Sequence, residues 1–135
     1  MAKPDLAQVL FAPRSVALVG ASADRNRTTS RPQRYLASHG YKGRVKLINP
    51  NRESISGLPC YPDLNSAAPV DHAFILLAGE AALDALAQCA ALGIPCATML
   101  AGGFADTGAR GRKLQDRLAA IARDGGVRLV GPNSI

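Results

Sequence analysis

Five short apolar runs alternate with segments of helical periodicity, and this alternation restricts the fold more than any other feature of the chain. Ser15–Gly20, Val45–Ile48, His72–Leu77, Cys96–Leu100 and Val127–Val130 each span 4–6 residues and are bounded by Gly, Pro or Asn. Continuous apolar runs of that length read as strands buried on both faces. Between the third and fourth runs, Leu83, Leu86, Ala87 and Ala90 repeat at helical spacing, with Gly93 as the stop. Leu114, Leu118, Ile121 and Ala122 do the same before Gly125 and Gly126. A helix over Arg31–Ser38 follows from Ser30 and Gln33 at capping-box spacing, Pro32 in the first turn and Gly40 at the end. Asp5–Phe11 reads as a short leading helix. Asn51–Val70, with Pro59, Pro62 and Pro69, reads as connection containing one helical turn. Parallel strands need crossovers, and helices supply them. The expected fold is therefore α/β: a Rossmann-like, doubly wound, mainly parallel five-stranded sheet with helices on both faces.

A chain of 135 residues is one domain, and 47% apolar residues suffice for a core. Aromatics are only 4% and Trp is absent, which argues against a stacking platform for single-stranded nucleic acid. No apolar run approaches the ~20 residues of a membrane helix. The segment Met1–Asp5 lacks the features of a signal peptide. Cys60, Cys89 and Cys96 are odd in number and have no CxxC spacing. They read as reduced thiols of a cytoplasmic protein, neither a disulfide framework nor a zinc site.

The net charge of +6 is unevenly placed. From Arg14 to Arg52 there are nine cations (Arg14, Arg25, Arg27, Arg31, Arg34, Lys42, Arg44, Lys46 and Arg52) and one carboxylate, Asp24. Such a segment is either a solvated basic face or the partner of a polyanion. With few aromatics and no nucleic-acid motif, a multiply phosphorylated small ligand is favoured over DNA.

In parallel sheets ligands bind beyond the C-terminal strand ends, at the switch point of the strand order. Four strand ends carry small or polar residues: Gly20, Ala21 and Ser22; Asn49, Pro50 and Asn51; Ala78, Gly79 and Glu80; and Ala101, Gly102 and Gly103. Small residues allow close approach of a ligand to the backbone. The loop after the first strand, Gly20–Ser30, is the natural phosphate site, with hydroxyls at Thr28, Thr29 and Ser30 and guanidinium groups at Arg25 and Arg27. It is neither a GxGxxG turn nor a Walker loop. An NAD site would place an acid after the second strand, but that position reads Asn49, Pro50, Asn51, Arg52, which suits a phosphorylated ribose such as that of NADP or coenzyme A.

These residues resemble a known family, the coenzyme A-binding N-terminal domain of NDP-forming acyl-CoA synthetases, similar to the α subunit of succinyl-CoA synthetase. The resemblance runs from Leu10–Ser22 through Gly40–Gly43, Ile48–Pro50, Gly57–Pro62, Val70–Asp71 and Ala101–Phe104 to Gly131–Ser134. It implies that Gly20, Ala21 and Ser22, continuing towards Ser30, hold the phosphates of coenzyme A. Pro50, Asn51 and Arg52 would flank the adenine and 3′-phosphoribose. Ala78 and Gly79, with Ala101, Gly102 and Gly103, would line the pantetheine arm, and Asn133 would sit near the thiol or brace its turn. The first loop departs from the family, which often has Pro-Gly and a second Gly where this chain has Arg25–Ser30.

The resemblance also implies that acyl phosphate formation, the phospho-His and the ATP-grasp region lie in other domains or a partner subunit, so that residues 1–135 form a coenzyme A-binding domain of a longer multidomain ligase. The isolated domain is then not expected to be catalytic. His39 and His72 read as structural, and no Ser/His/Asp or Cys/His arrangement is visible. For Glu80, helix capping is favoured over ligand contact. The alternatives are a free-standing small coenzyme A-binding protein and an NADP-binding Rossmann module.

Overall fold

The computed structural model describes residues 5–101 and 103–132. Seven strands form one sheet: β1 Ser15–Val19, β2 Arg44–Ile48, β3 Ser54–Ile55, β4 Leu58–Tyr61, β5 His72–Ile75, β6 Cys96–Met99 and β7 Arg128–Val130. Their order across the sheet is β3-β4-β2-β1-β5-β6-β7, and every pairing is parallel except β3 with β4. The helices are α1 Leu6–Phe11, α2 Arg31–Ser38, α3 Leu64–Ala67, α4 Gly79–Ala91 and α5 Ala109–Gly125.

The two-residue period of a strand sends neighbouring side chains to opposite faces. In β1, Ala17 and Val19 join the larger core, and Leu18 joins the smaller one. Ile48 and Leu47 divide the same way in β2, as do Ile75 and Leu76 at the end of β5. The larger core is closed by Leu64 and Ala67 of α3, Leu83, Leu86 and Cys89 of α4, and Leu118 and Ala122 of α5. The opposite face carries α2, whose Leu36 is half-buried, and α1. His72 holds α1 down: its Nδ1 lies 2.9 Å from the Val9 carbonyl and its Nε2 2.7 Å from Thr98 Oγ1. The mainly parallel α/β sandwich with helices on both faces is thus the architecture expected, and α2 spans the residues the sequence marks out.

Two local expectations change. The sheet has seven strands, not five, because Ser54–Tyr61 makes a hairpin inside the supposed connection. Ser56 and Gly57 both take positive φ, 51° and 81°, as a tight two-residue hairpin turn requires. Pro59 argues against a strand, but it falls ahead of the β2 pairing, which begins at Cys60 opposite Leu47. The capping box at Ser30 is also absent. A 3-10 turn over Thr28–Ser30 precedes α2, so the Ser30 hydroxyl donates back to Arg27 O (2.7 Å), and Gln33 Nε2 reaches Ile55 O instead.

Candidate functional site

The chain winds from β1 outwards to β2 and β4, then crosses through α3 to β5 on the other side of β1. The switch point therefore lies between β1 and β5, and a cavity of about 620 Å³ sits above it. Its walls come from the ends of β1 and β2, from Leu77 after β5, and from one side of α4.

Gly20 continues β1 by donating to the Ile48 carbonyl (3.1 Å), then turns with φ of 92°. A Cβ there would stand 2.7 Å from Leu77 Cδ2, so both backbone conformation and space demand glycine. The next three amides, of Ala21, Ser22 and Ala23, donate no hydrogen bond within the described residues. Beyond them the loop organises itself: Asp24 N donates to Ser22 Oγ (3.1 Å), Asn26 N to Asp24 Oδ1 (3.0 Å) and Arg27 N to Asp24 O (3.1 Å). Asn49 ties this loop to the one after β2. Its Nδ2 donates to Ala21 O (3.0 Å) while its Oδ1 accepts from Asn51 N (2.8 Å), which commits the carboxamide to bracing.

Of the residues singled out from sequence, Gly20, Ala21, Ser22, Asn49, Pro50, Asn51 and Arg52 all line this cavity. Arg27 reaches it too, and Arg25 does not: Arg25 lines a separate cavity beside α2. Thr28 and Thr29 occupy the 3-10 turn outside the cavity walls, and Ser30 is 4% exposed, its hydroxyl bonded to the carbonyls of Arg25 and Arg27. Ala78 and Gly79 open α4 directly after Leu77. Ala101 is held by its amide to Pro132 O (3.0 Å), and Gly103 by its amide to Asp106 Oδ2 (3.4 Å). Gly102 and Asn133 lie outside the described residues.

The electrostatics differ from what the clustered charge suggests. Only Arg27 and Arg52 of the nine cations border the cavity. Arg14 and Arg44 sit at the opposite strand ends, since Arg44 begins β2 and a five-residue strand carries its ends about 15 Å apart. Lys46 is drawn away to the carbonyls of Ala67 (2.6 Å) and Pro69 (3.1 Å). Asp24, Asp63 and Asp84 also face the cavity. Asp63 is engaged in capping α3 through Ser66 N (2.8 Å). Sequence reasoning missed Asp63, Asp84 and Gln88. Asp84 and Gln88 share the i, i+4 spacing of one α4 face, a signal that gains meaning only once the lean of α4 over the switch point is known.

Glu80 neither caps α4 nor enters the cavity. It forms a bidentate pair with Arg117 of α5 (2.5 and 3.1 Å), and the guanidinium beside it holds its carboxyl below the usual range. His72 is 2% exposed, and burial pushes its imidazole below the ordinary value. Burial raises the Cys89 thiol to about 12, and it raises Cys96 and Cys60 as well, so none of the three is a ready nucleophile. Among the described residues there is no cluster of three or more possible metal ligands, and no helix is long and apolar enough to cross a membrane.

A glycine turn at the switch point, three amides above it with no partner among the described residues and two bordering guanidinium groups define a Rossmann-like module with an anion-accepting turn. The chain matches the CoA binding domain family over residues 14–135 and belongs to it. It is a coenzyme A-binding domain related to the NDP-forming acyl-CoA ligases. It is 36% identical to the ADP-forming acetate–CoA ligase II of Archaeoglobus fulgidus, covering 97% of this chain and 20% of that protein. It is 29% identical to a trans-feruloyl-CoA synthase from an unknown prokaryotic organism, covering 93% and 18%. The chain thus spans about a fifth of the length of these relatives. Among solved structures, the apo dinucleotide-forming acetyl-coenzyme A synthetase 1 of Ca. Korarchaeum cryptofilum superposes with a TM-score of 0.88 at 35% identity, over 96% of this chain and 28% of that one.

Proposed function

We propose that this domain supplies the coenzyme A site of an ADP-forming acyl-CoA ligase. The observation that carries the reading is the row of amides at Ala21, Ser22 and Ala23 at the switch point, which have no partner among the described residues, with Arg27 and Arg52 bordering the same cavity. Backbone N–H groups at a strand-to-helix turn favour the pyrophosphate. Asn51 and Arg52 flank the 3′-phosphoribose, on the loop that Asn49 locks to the phosphate turn. The pantetheine arm leaves past Leu77, Ala78 and Gly79 towards Ala101 and Gly103. Arg25 and Ser30 take no part, because one faces another cavity and the other is bonded to its own loop.

The domain's own contribution is to hold and aim the carrier. Acyl phosphate formation and phosphoryl relay through a histidine belong to further domains of the ligase or to a partner subunit. The acid activated is a carboxylic acid of the class named for the relatives, small aliphatic or aryl.

Calorimetric titration tests the reading. Coenzyme A binds, and Arg52→Glu weakens it about tenfold while weakening dephospho-coenzyme A about threefold or less, since one charge-assisted contact to a phosphate is worth ~1.5–3 kcal/mol before screening by water. Equal losses for the two ligands remove Arg52 from the 3′-phosphate. NADPH binding with no response to coenzyme A overturns the site.

A further inference from the structure

The strongly basic loop feeds a second cavity that the coenzyme A reading leaves unused. It measures about 890 Å³ and lies between α2 and the sheet face formed by β2 and the β3–β4 hairpin. Its existence follows from topology. β2 is joined to β4 by a hairpin, where a helical crossover would have laid a second helix beside α2. Among the described residues nothing fills that place, and α2 itself has no buried residue. The volume falls in the range of ~300–1,000 Å³ typical of small-molecule sites.

The lining is chemically divided. Leu36 and Ala37 of α2, Val45 of β2 and Leu58 of β4 provide apolar walls. Three polar side chains of the lining are already engaged: Tyr41 Oη donates to Pro13 O (2.7 Å), Gln33 Nε2 to Ile55 O (3.3 Å) and Ser38 Oγ to Tyr35 O (3.3 Å). The exposed rim carries Arg25 and Arg34, neither of which forms an ion pair or side-chain hydrogen bond among the described residues. Among the described residues no carboxylate lines the cavity.

We propose that this cavity is a second ligand site, one that takes an apolar carboxylic acid. The walls are largely apolar and the Tyr41, Gln33 and Ser38 donors are engaged, so the body of the ligand is hydrocarbon, with the exposed hydroxyls of Tyr35 and Ser56 left to the solvent side. Guanidinium forks match a carboxylate, and the absence of any acid in the lining makes an anionic head the complementary one. Ser22 and Ala23 border both cavities, so occupancy here presses on the backbone that carries the phosphate amides. The site thereby lets a free acid report its presence to the coenzyme A cavity. The proposal stands on the α2 cavity and does not depend on what occupies the other one.

Octanoate, with octanol as its neutral counterpart, is the probe. Titrated into the 135-residue chain, octanoate binds saturably with unit stoichiometry, also when coenzyme A is saturating. Octanol binds about tenfold more weakly, and Arg34→Glu, an exposed change outside the coenzyme A cavity, weakens octanoate to a similar degree. Ala37→Trp, which fills the cavity from the helix side, abolishes octanoate binding; unchanged thermal unfolding of both variants shows that they are folded. The proposal is overturned if octanoate does not saturate, if octanol binds equally well, if Arg34→Glu has no effect, or if coenzyme A displaces octanoate in simple competition. Failure of coenzyme A to bind, with octanoate binding intact and thermal unfolding of the variants unchanged, would remove the coenzyme A reading and leave this one standing.

Discussion

The two faces of the sheet are packed to different degrees. Among the described residues, twenty buried side chains form a single cluster beneath α3, α4 and α5, whereas five form the cluster on the α2 side. The same strands build both faces, residue by residue in alternation, so strand composition does not account for the contrast. The coverage does. α4 and α5 lie along the sheet and lock to each other, with Ala90 so close to Gly125 that a Cβ there would stand 2.4 Å away. α2 is eight residues long and stands off, leaving cavities on its flanks. One face is thus a folding core. The other leaves Leu36, Val45 and Phe74 only half-buried and is free to take up ligand or to move.

The largest expected effect probes the closed face. Leu86 is fully buried at 0% exposure in the middle of α4. Leu86→Ala should cost about 3 kcal/mol, within the ~2–5 kcal/mol range for truncations in cores that cannot collapse around the gap. Urea unfolding at neutral pH gives the value. A cost below ~1 kcal/mol would mean that the closed face relaxes readily, and the contrast between the faces would disappear.

A smaller effect comes from His72 on the looser face. Its imidazole is buried, stacked on Phe74 (4.8 Å between centroids) and bonded to Val9 O and Thr98 Oγ1; among the described residues the other titratable group in contact with it is the Cys96 thiol, 4.0 Å away. Burial lowers its proton affinity in the fold relative to the ordinary value of about 6.5. As pH falls through that value the unfolded chain takes up a proton first, so stability decreases, and the loss levels off once the folded imidazole also protonates. Unfolding free energy should therefore fall between pH 7.5 and 5.5, and His72→Gln should flatten the slope in that window. Amide exchange in α1 should rise over the same range, because the Val9 carbonyl is the helix's tie to the sheet. A wild-type slope that persists in His72→Gln assigns the dependence elsewhere.

The same contrast explains which features were legible in the sequence. The apolar strands and the helices of the closed face carry strong periodicity because burial on both sides leaves little choice of residue, and β1, β2, β5, β6, α4 and α5 all followed. The β3–β4 hairpin did not: its strands are short, mostly exposed and interrupted by Pro59, so neither apolar run nor alternation marks them. At the site, the glycine turn and the Asn49–Arg52 loop were legible because each sits directly at a strand end. Arg25 and Arg27 are two residues apart in one loop, and no local pattern tells which turns towards the switch point. The folded loop, pinned by Asp24 and Ser30, sends Arg27 to the switch point and Arg25 to the α2 cavity. Asp84 and Gln88 depend on tertiary placement alone.

The smallest expected effect is the sharpest measure of the difference between the faces, because the chemistry is held constant. Leu36→Ala removes the same three carbons as Leu86→Ala, but from a half-buried side chain beside an open cavity. Only the fraction of Leu36 already hidden from water can be lost, and no sealed void is left behind, so the cavity contribution drops out. The cost should be less than about 1 kcal/mol, from partial transfer of a few methylene equivalents. Alanine also has the higher helix propensity, which offsets part of the loss in so short a helix. Urea unfolding of the two variants side by side gives the ratio directly. A Leu36→Ala cost equal to that of Leu86→Ala would show that α2 closes onto the sheet in solution. The 890 Å³ space would then collapse in the absence of ligand, and octanoate binding would have to include the work of reopening it.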